Sequence, residues 1–97
     1  MSHRIAPTDH WKVYASAADA NCLTDDPSGR QRRPIGLHSQ SPATVMVRRL
    51  SASDTPQAVG LAGGEVLPIR FHSLEATDSS WTNLMVLWES NSERIPA

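Results

Sequence analysis

The groups able to do chemistry in this chain of 97 residues are few and scattered. His3, His10, His38 and His72 could bind a metal or carry a proton near neutral pH. They share no metal-ligand spacing, and the lone Cys22 leaves no paired-thiolate zinc pattern. A serine nucleophile needs a base and an orienting acid. Asp54 and Asp78 are present, yet the glycine-flanked elbow is missing, and such triads are set by geometry rather than by order along the chain. Glu65 and Glu75 are the candidates for a glycoside-cleaving acid pair, a role that requires a cleft and a fixed carboxylate separation. Gly60, Gly63 and Gly64 lie in a β segment with no helix after it, so they read as turn residues and not as a phosphate loop. The expectation is a non-enzyme with no metal, no cofactor and no small-molecule substrate.

Arginine supplies the other chemistry. Arg30, Arg32 and Arg33 cluster in Asp25-Asp-Pro-Ser-Gly-Arg-Gln-Arg-Arg-Pro34, and Arg48 and Arg49 form a second pair. A guanidinium offers a planar fork to phosphate, which makes these five residues the candidate contacts to nucleic acid. Against that, Asp25 and Asp26 are close by and no aromatic residue is interleaved for base stacking. The formal net charge of -1 gives no overall drive toward an anionic partner. The other readings of the segment are a solvated loop, mobile when free, and a salt-bridged protein interface.

The elements that position these groups follow from composition and alternation. Residues 1–42 hold 14 apolar residues, five of them alanine, whereas residues 43–88 hold 22, mostly large aliphatics. The core is therefore expected in the second part, with 1–33 an arm and linker, 34–88 a β domain and 89–97 a polar tail. Residues 10–20 read either as a capped alanine-rich helix or as a short strand at Trp11 to Tyr14, and the sequence leaves both open. Pro34 to His38 reads as a brief strand with Ile35 and Leu37 on one side. Ala43 to Leu50 has strand residues with Val45 and Val47 on one face. The run Asn83-Leu-Met-Val-Leu-Trp88 has the length of a strand and no polar alternation, so it belongs in the middle of a sheet or against another subunit. The start lacks a hydrophobic leader core, and nothing later approaches the ~20 apolar residues that cross a bilayer, so no membrane partner is expected.

The longest consistent pattern runs from Val59 to Leu74 through a glycine turn. Read as a hairpin with a three-residue loop, Ala62 to Gly64, it places Val59, Leu61, Leu67, Ile69 and Phe71 on one face, with Gly64 in the left-handed bulge position. Pro68, lacking an N–H, must then sit at a sheet edge or a bulge. The fold class is all-β: a small antiparallel sandwich or barrel-like domain with an extended or partly helical N-terminal arm. A core of this size gives only roughly 3–5 kcal/mol unaided, which points to support from partners. Trp11, Tyr14, Trp81 and Trp88 are the candidate interface anchors, because aromatic side chains dominate binding hot spots. Each can equally pack in the chain's own core, and for Trp88 the core is the stronger reading.

The block Gly64-Glu-Val-Leu-Pro-Ile-Arg-Phe-His-Ser-Leu-Glu-Ala-Thr, followed by Asn83-Leu-Met-Val-Leu-Trp88, resembles the C-terminal part of the spike base proteins of tailed phages and gene transfer agents. Arg33-Pro-Ile-Gly-Leu-His-Ser and Ala43-Thr-Val-Met-Val match the family's first two strands more loosely, so the resemblance spans residues 33–88. The chain departs from it at Arg48-Arg49, where the family tends to have a glycine-rich turn. The resemblance implies a β domain, made in the host cytoplasm, that oligomerises on the virion and attaches a spike or fibre to other virion structural proteins. The alternative is a module at a portal or connector that contacts nucleic acid through its arginines.

Overall fold

The computed structural model describes residues 10–89. Among these described residues, eight strands form two antiparallel four-stranded sheets. They are β1 (Trp11–Ser16), β2 (Ala20–Asn21), β3 (Gly36–His38), β4 (Ala43–Arg48), β5 (Gln57–Leu61), β6 (Val66–Pro68), β7 (Ser73–Glu75) and β8 (Thr82–Leu87). Sheet A has the order β1-β8-β3-β6 and sheet B the order β2-β7-β4-β5. Between them lies a core of Cys22, Leu37, Val45, Val47, Leu61, Phe71, Leu74, Trp81, Leu84, Val86 and Trp88. The chain is all-β, and the two layers are those of a small β-sandwich.

Alternation explains the layers. Val45 and Val47 on β4 and Leu84 and Val86 on β8 are fully enclosed, while their neighbours Met46 and Met85 are half-buried on the outer faces. β8 lies between β1 and β3, in the middle of its sheet as the apolar run predicts. Of the two readings of residues 10–20 the strand is the one that forms: β1 pairs with β8 in the register Trp11↔Leu87 to Ser16↔Thr82. β2 pairs with β7, and Cys22 is in the core, so this part of the expected arm is built into the same two-layered domain as the rest. Of the tail drawn at 89–97, all but Glu89 lie outside the described residues.

The hairpin expected around the glycine turn does not form. β5 pairs with β4, Val59 opposite Val45, and β6 pairs with β3, Leu67 opposite Leu37, so the two halves stand in opposing sheets. The expected second strand is also divided, with 66–68 in sheet A and 73–75 in sheet B. The inward phase nevertheless holds. Leu61 and Phe71 are in the core, and Val59, Leu67 and Ile69 pack against it. Alternation fixes which side chains face inward and is blind to which strand lies alongside. Pro68 sits on the edge strand β6, where its missing donor costs no ladder bond.

The crossing from sheet B to sheet A is made by Gly63 (φ 93°) and Gly64 (φ 80°), with the Gly64 N–H donating to the Ser39 carbonyl at 2.7 Å. The two glycines have different reasons. A Cβ on Gly63 would lie 3.0 Å from the Pro42 nitrogen and the Ser41 carbonyl carbon, whereas one on Gly64 would meet nothing within 4 Å. Gly63→Ala therefore adds a backbone clash to left-handed strain and costs about 2 kcal/mol or more, against about 1 kcal/mol for Gly64→Ala. Urea unfolding of both variants checks the order, and equal costs would contradict it.

Candidate functional site: a polar knot and two unlike sheet faces

The densest polar arrangement is built from the loop between β2 and β3. Asn21 starts it, its Oδ1 accepting from the Leu23 and Thr24 amides at 3.0 and 3.4 Å. Asp26 then folds the chain over itself. Its Oδ1 accepts from the Ser28 amide and hydroxyl, both at 2.9 Å, and from Arg32 Nη2 at 3.1 Å. Its Oδ2 accepts from the Arg32 amide at 2.8 Å and Arg32 Nε at 2.9 Å. Arg32 Nη1 donates onward to the Glu89 carbonyl, and the indole N–H of Trp88 is shared between the carbonyls of Arg32 (3.0 Å) and Cys22 (3.2 Å). One carboxylate thus ties the loop to the end of β8.

The Asp26 side chain is fully enclosed and that of Arg32 is 18% exposed. Burial alone would raise the Asp26 pKa, but the Arg32 guanidinium and the surrounding N–H and O–H donors hold it well below the usual carboxylate range. Nearby, the Tyr14 hydroxyl donates to Asp25 at 2.8 Å, with Lys12 Nζ 3.9 Å from the same carboxylate. Burial, with the negative charge of Asp25 beside it, raises the Tyr14 pKa strongly. Burial likewise pushes the Cys22 thiol up to about 12, which leaves it protonated and unreactive at neutral pH.

The five arginines do not line one groove. Arg32 is in the knot. Arg48 pairs with Glu75 and donates from Nε to the Asp54 carbonyl at 3.0 Å. Arg33 donates to the Leu50 carbonyl at 2.9 Å and Arg49 to the Arg70 carbonyl at 3.3 Å, both at exposed positions. Arg30 is exposed, its amide bonded to the Ser28 hydroxyl at 3.3 Å. Within the loop the opposite charges pair with each other: Asp26 meets Arg32 six positions on. The Asp-x-Ser spacing, which lets an Asp side chain accept from the amide two residues later, was the available signal for this turn. The contacts to Trp88 and Glu89 have no local signal.

Trp81 and Trp88 are each 1% exposed and stand in the core, so neither presents a surface to a partner. Trp81 meets the Tyr14 ring edge-on, with centroids 6.3 Å apart and an interplanar angle of 79°. Trp11 and Tyr14 are half-buried. Glu65 is exposed before β6, while Glu75 ends β7 in its pair with Arg48, so the two acids have different environments. Among the described residues, no group of three or more His, Cys, Asp and Glu gathers in a way that would hold a metal ion.

The outer sheet faces differ in kind. The registers of sheet A align Trp11, Leu87, Gly36 and Pro68 in one row across four strands, and Val13, Met85, His38 and Val66 in the next. Neither row contains an acid, a lysine or an arginine. The outer face of sheet B instead carries the Arg48–Glu75 pair, with Asn21 and Ser73 beside it. No protein-family model, curated protein or solved structure matches the chain.

The pH dependence follows from Asp26. Its depressed pKa contributes stability that is fully present above the ordinary carboxylate range and is lost as pH falls below about 4 toward the folded-state value. Asp26→Asn costs about 3 kcal/mol at neutral pH and flattens that acid limb. Urea midpoints from neutral pH down to acid check it; an unchanged acid limb in the variant would contradict the assignment. The Cys22 thiol should react with a maleimide only as fast as the fold opens, and immediate labelling of the native chain would show the site to be accessible.

Proposed function

We propose that this chain is a structural module of a tailed-phage-like particle, which oligomerises and anchors a spike, a fibre or another component to the virion by protein–protein contact. The observation that carries this reading is the uncharged outer face of sheet A. Val13 is 43% exposed and Val66 57% exposed at opposite ends of a row joined by Met85 and His38. A sheet face with no formal charge in these two rows and exposed valines at both ends of one of them is a place for another protein to dock. Its strands β6 and β8 come from the two segments that resemble spike base proteins, which is where the virion setting of the proposal originates. Arg32 and Arg48 are held in internal ion pairs, which favours contact by apolar surface over contact by phosphate.

Particles assembled without the chain and then supplied with it provide the test. The native chain is expected to incorporate, and Val13→Lys with Val66→Lys, at two exposed positions, to reduce incorporation by about tenfold or more while the fold is kept. Incorporation should change little with salt. Binding to nucleic acid through five phosphate contacts would instead weaken roughly a hundredfold or more between about 50 and 200 mM salt. Salt-steep DNA binding lost on Arg33→Ala with Arg49→Ala, together with no incorporation, would overturn the proposal.

A further inference from the structure

Among the described residues the two sheets have four edges that no further strand pairs with, and these are not alike. An edge strand exposes unpaired N–H and C=O groups that template another strand, and proteins block this with shortness, proline or lysine. β2 has two residues, β6 has three including Pro68, and β1 carries Lys12, with Asp25 held beside it. β5, Gln57–Leu61, has five residues and neither a charge nor a proline. The two seams between the sheets differ in the same sense. The seam at β1 and β2 is closed by the Tyr14–Asp25 contact and the Asp26–Arg32–Trp88 knot. At the seam of β5 and β6, Gly60, Leu61, Ala62, Glu65, Val66 and Leu67 border a crevice of about 120 Å³. There Val59 and Leu67 reach the core but are only half-buried.

We infer that β5 pairs antiparallel with β5 of a second copy of this chain, about a two-fold axis through Val59, joining two B sheets into one of eight strands. The strand is self-compatible in this register. Val59 meets the partner's Val59, Ala58 meets the partner's Gly60, and Gln57 meets the partner's Leu61, so no like charges are opposed. Ala58 and Gly60 are small and exposed on the outer face, and space above Gly60 is open, so nothing there obstructs a neighbouring strand. Val59, on the inner side, gains the cover it lacks in a single copy. This deepens the assembly reading and rests on it for its biological purpose, but the pairing has its own test.

Sedimentation equilibrium on the full chain is expected to give a dimer. Ala58→Lys with Gly60→Lys sets lysines opposite one another twice across the axis and should weaken the dimer by about tenfold or more, with an unchanged circular dichroism spectrum. Independently, Val59→Cys brings two thiols together at the axis, so a mild oxidant should convert the chain to a disulfide-linked dimer while buried Cys22 stays reduced. A monomeric native chain, a dimer indifferent to the two lysines, or a Val59→Cys chain that stays monomeric under oxidant would each overturn the inference. Incorporation into particles by a monomeric chain would leave the assembly reading standing and remove this one; a β5 dimer that incorporates into nothing would do the reverse.

Discussion

A carboxylate sealed from water is tolerated only when its charge is met by donors, and Asp26 meets five, two from Ser28 and three from Arg32. The rest of the structure depends on that balance. Arg32, oriented by its fork on Asp26, presents its carbonyl to the indole of Trp88 and its remaining nitrogen to the carbonyl of Glu89. The loop is thereby laid against the end of β8, Cys22 is pressed into the core, and the two-residue β2 is held on the edge of sheet B. A pair of residues could not remain on a sheet edge by ladder bonds alone. Removing either charge would leave the other stranded, so the knot acts as a unit.

The division of labour across the molecule follows. Polar groups able to engage a ligand are concentrated where they hold the protein's own chain. Asp26 and Arg32 close one seam, Arg48 and Glu75 cross the face of sheet B, and Asp54 accepts from the amides of Leu50 and Ser51 in the turn after β4. Apolar groups are left over on the outside of sheet A and along the open seam at β5. In a small domain with a modest core, this surplus apolar surface is what the proposed attachment to other proteins rests on.

The sequence disclosed inward and outward positions better than partnerships. The phase of Val45, Val47, Leu67, Ile69 and Phe71 was legible because alternation is a local property, and the edge position of Pro68 followed from its missing N–H. The pairing of β5 with β4 instead of β6 was not legible, since Val59 and Leu67 alternate identically whether they share a ladder or face each other across a core. The loop arginines show the same limit. Arg32 and Arg33 are adjacent in sequence, yet one is locked on Asp26 and the other reaches the carbonyl of Leu50. A tryptophan's reach back over 66 residues to the carbonyl of Cys22 leaves no pattern in the chain. β2 is too short to carry any periodicity.

The knot has two reporters, the indole proton of Trp88, which is shared between the carbonyls of Cys22 and Arg32, and the amide proton of Arg32, which is held by Asp26. Hydrogen exchange followed by NMR on the free chain reads whether the loop stays closed. The Trp88 indole proton and the Arg32 amide proton are expected to exchange as slowly as the central amides of β8, because the loop opens only when the sandwich does. Exchange of those two protons at the rate of an unprotected peptide, with β8 still protected, would show that the loop is not part of the closed fold.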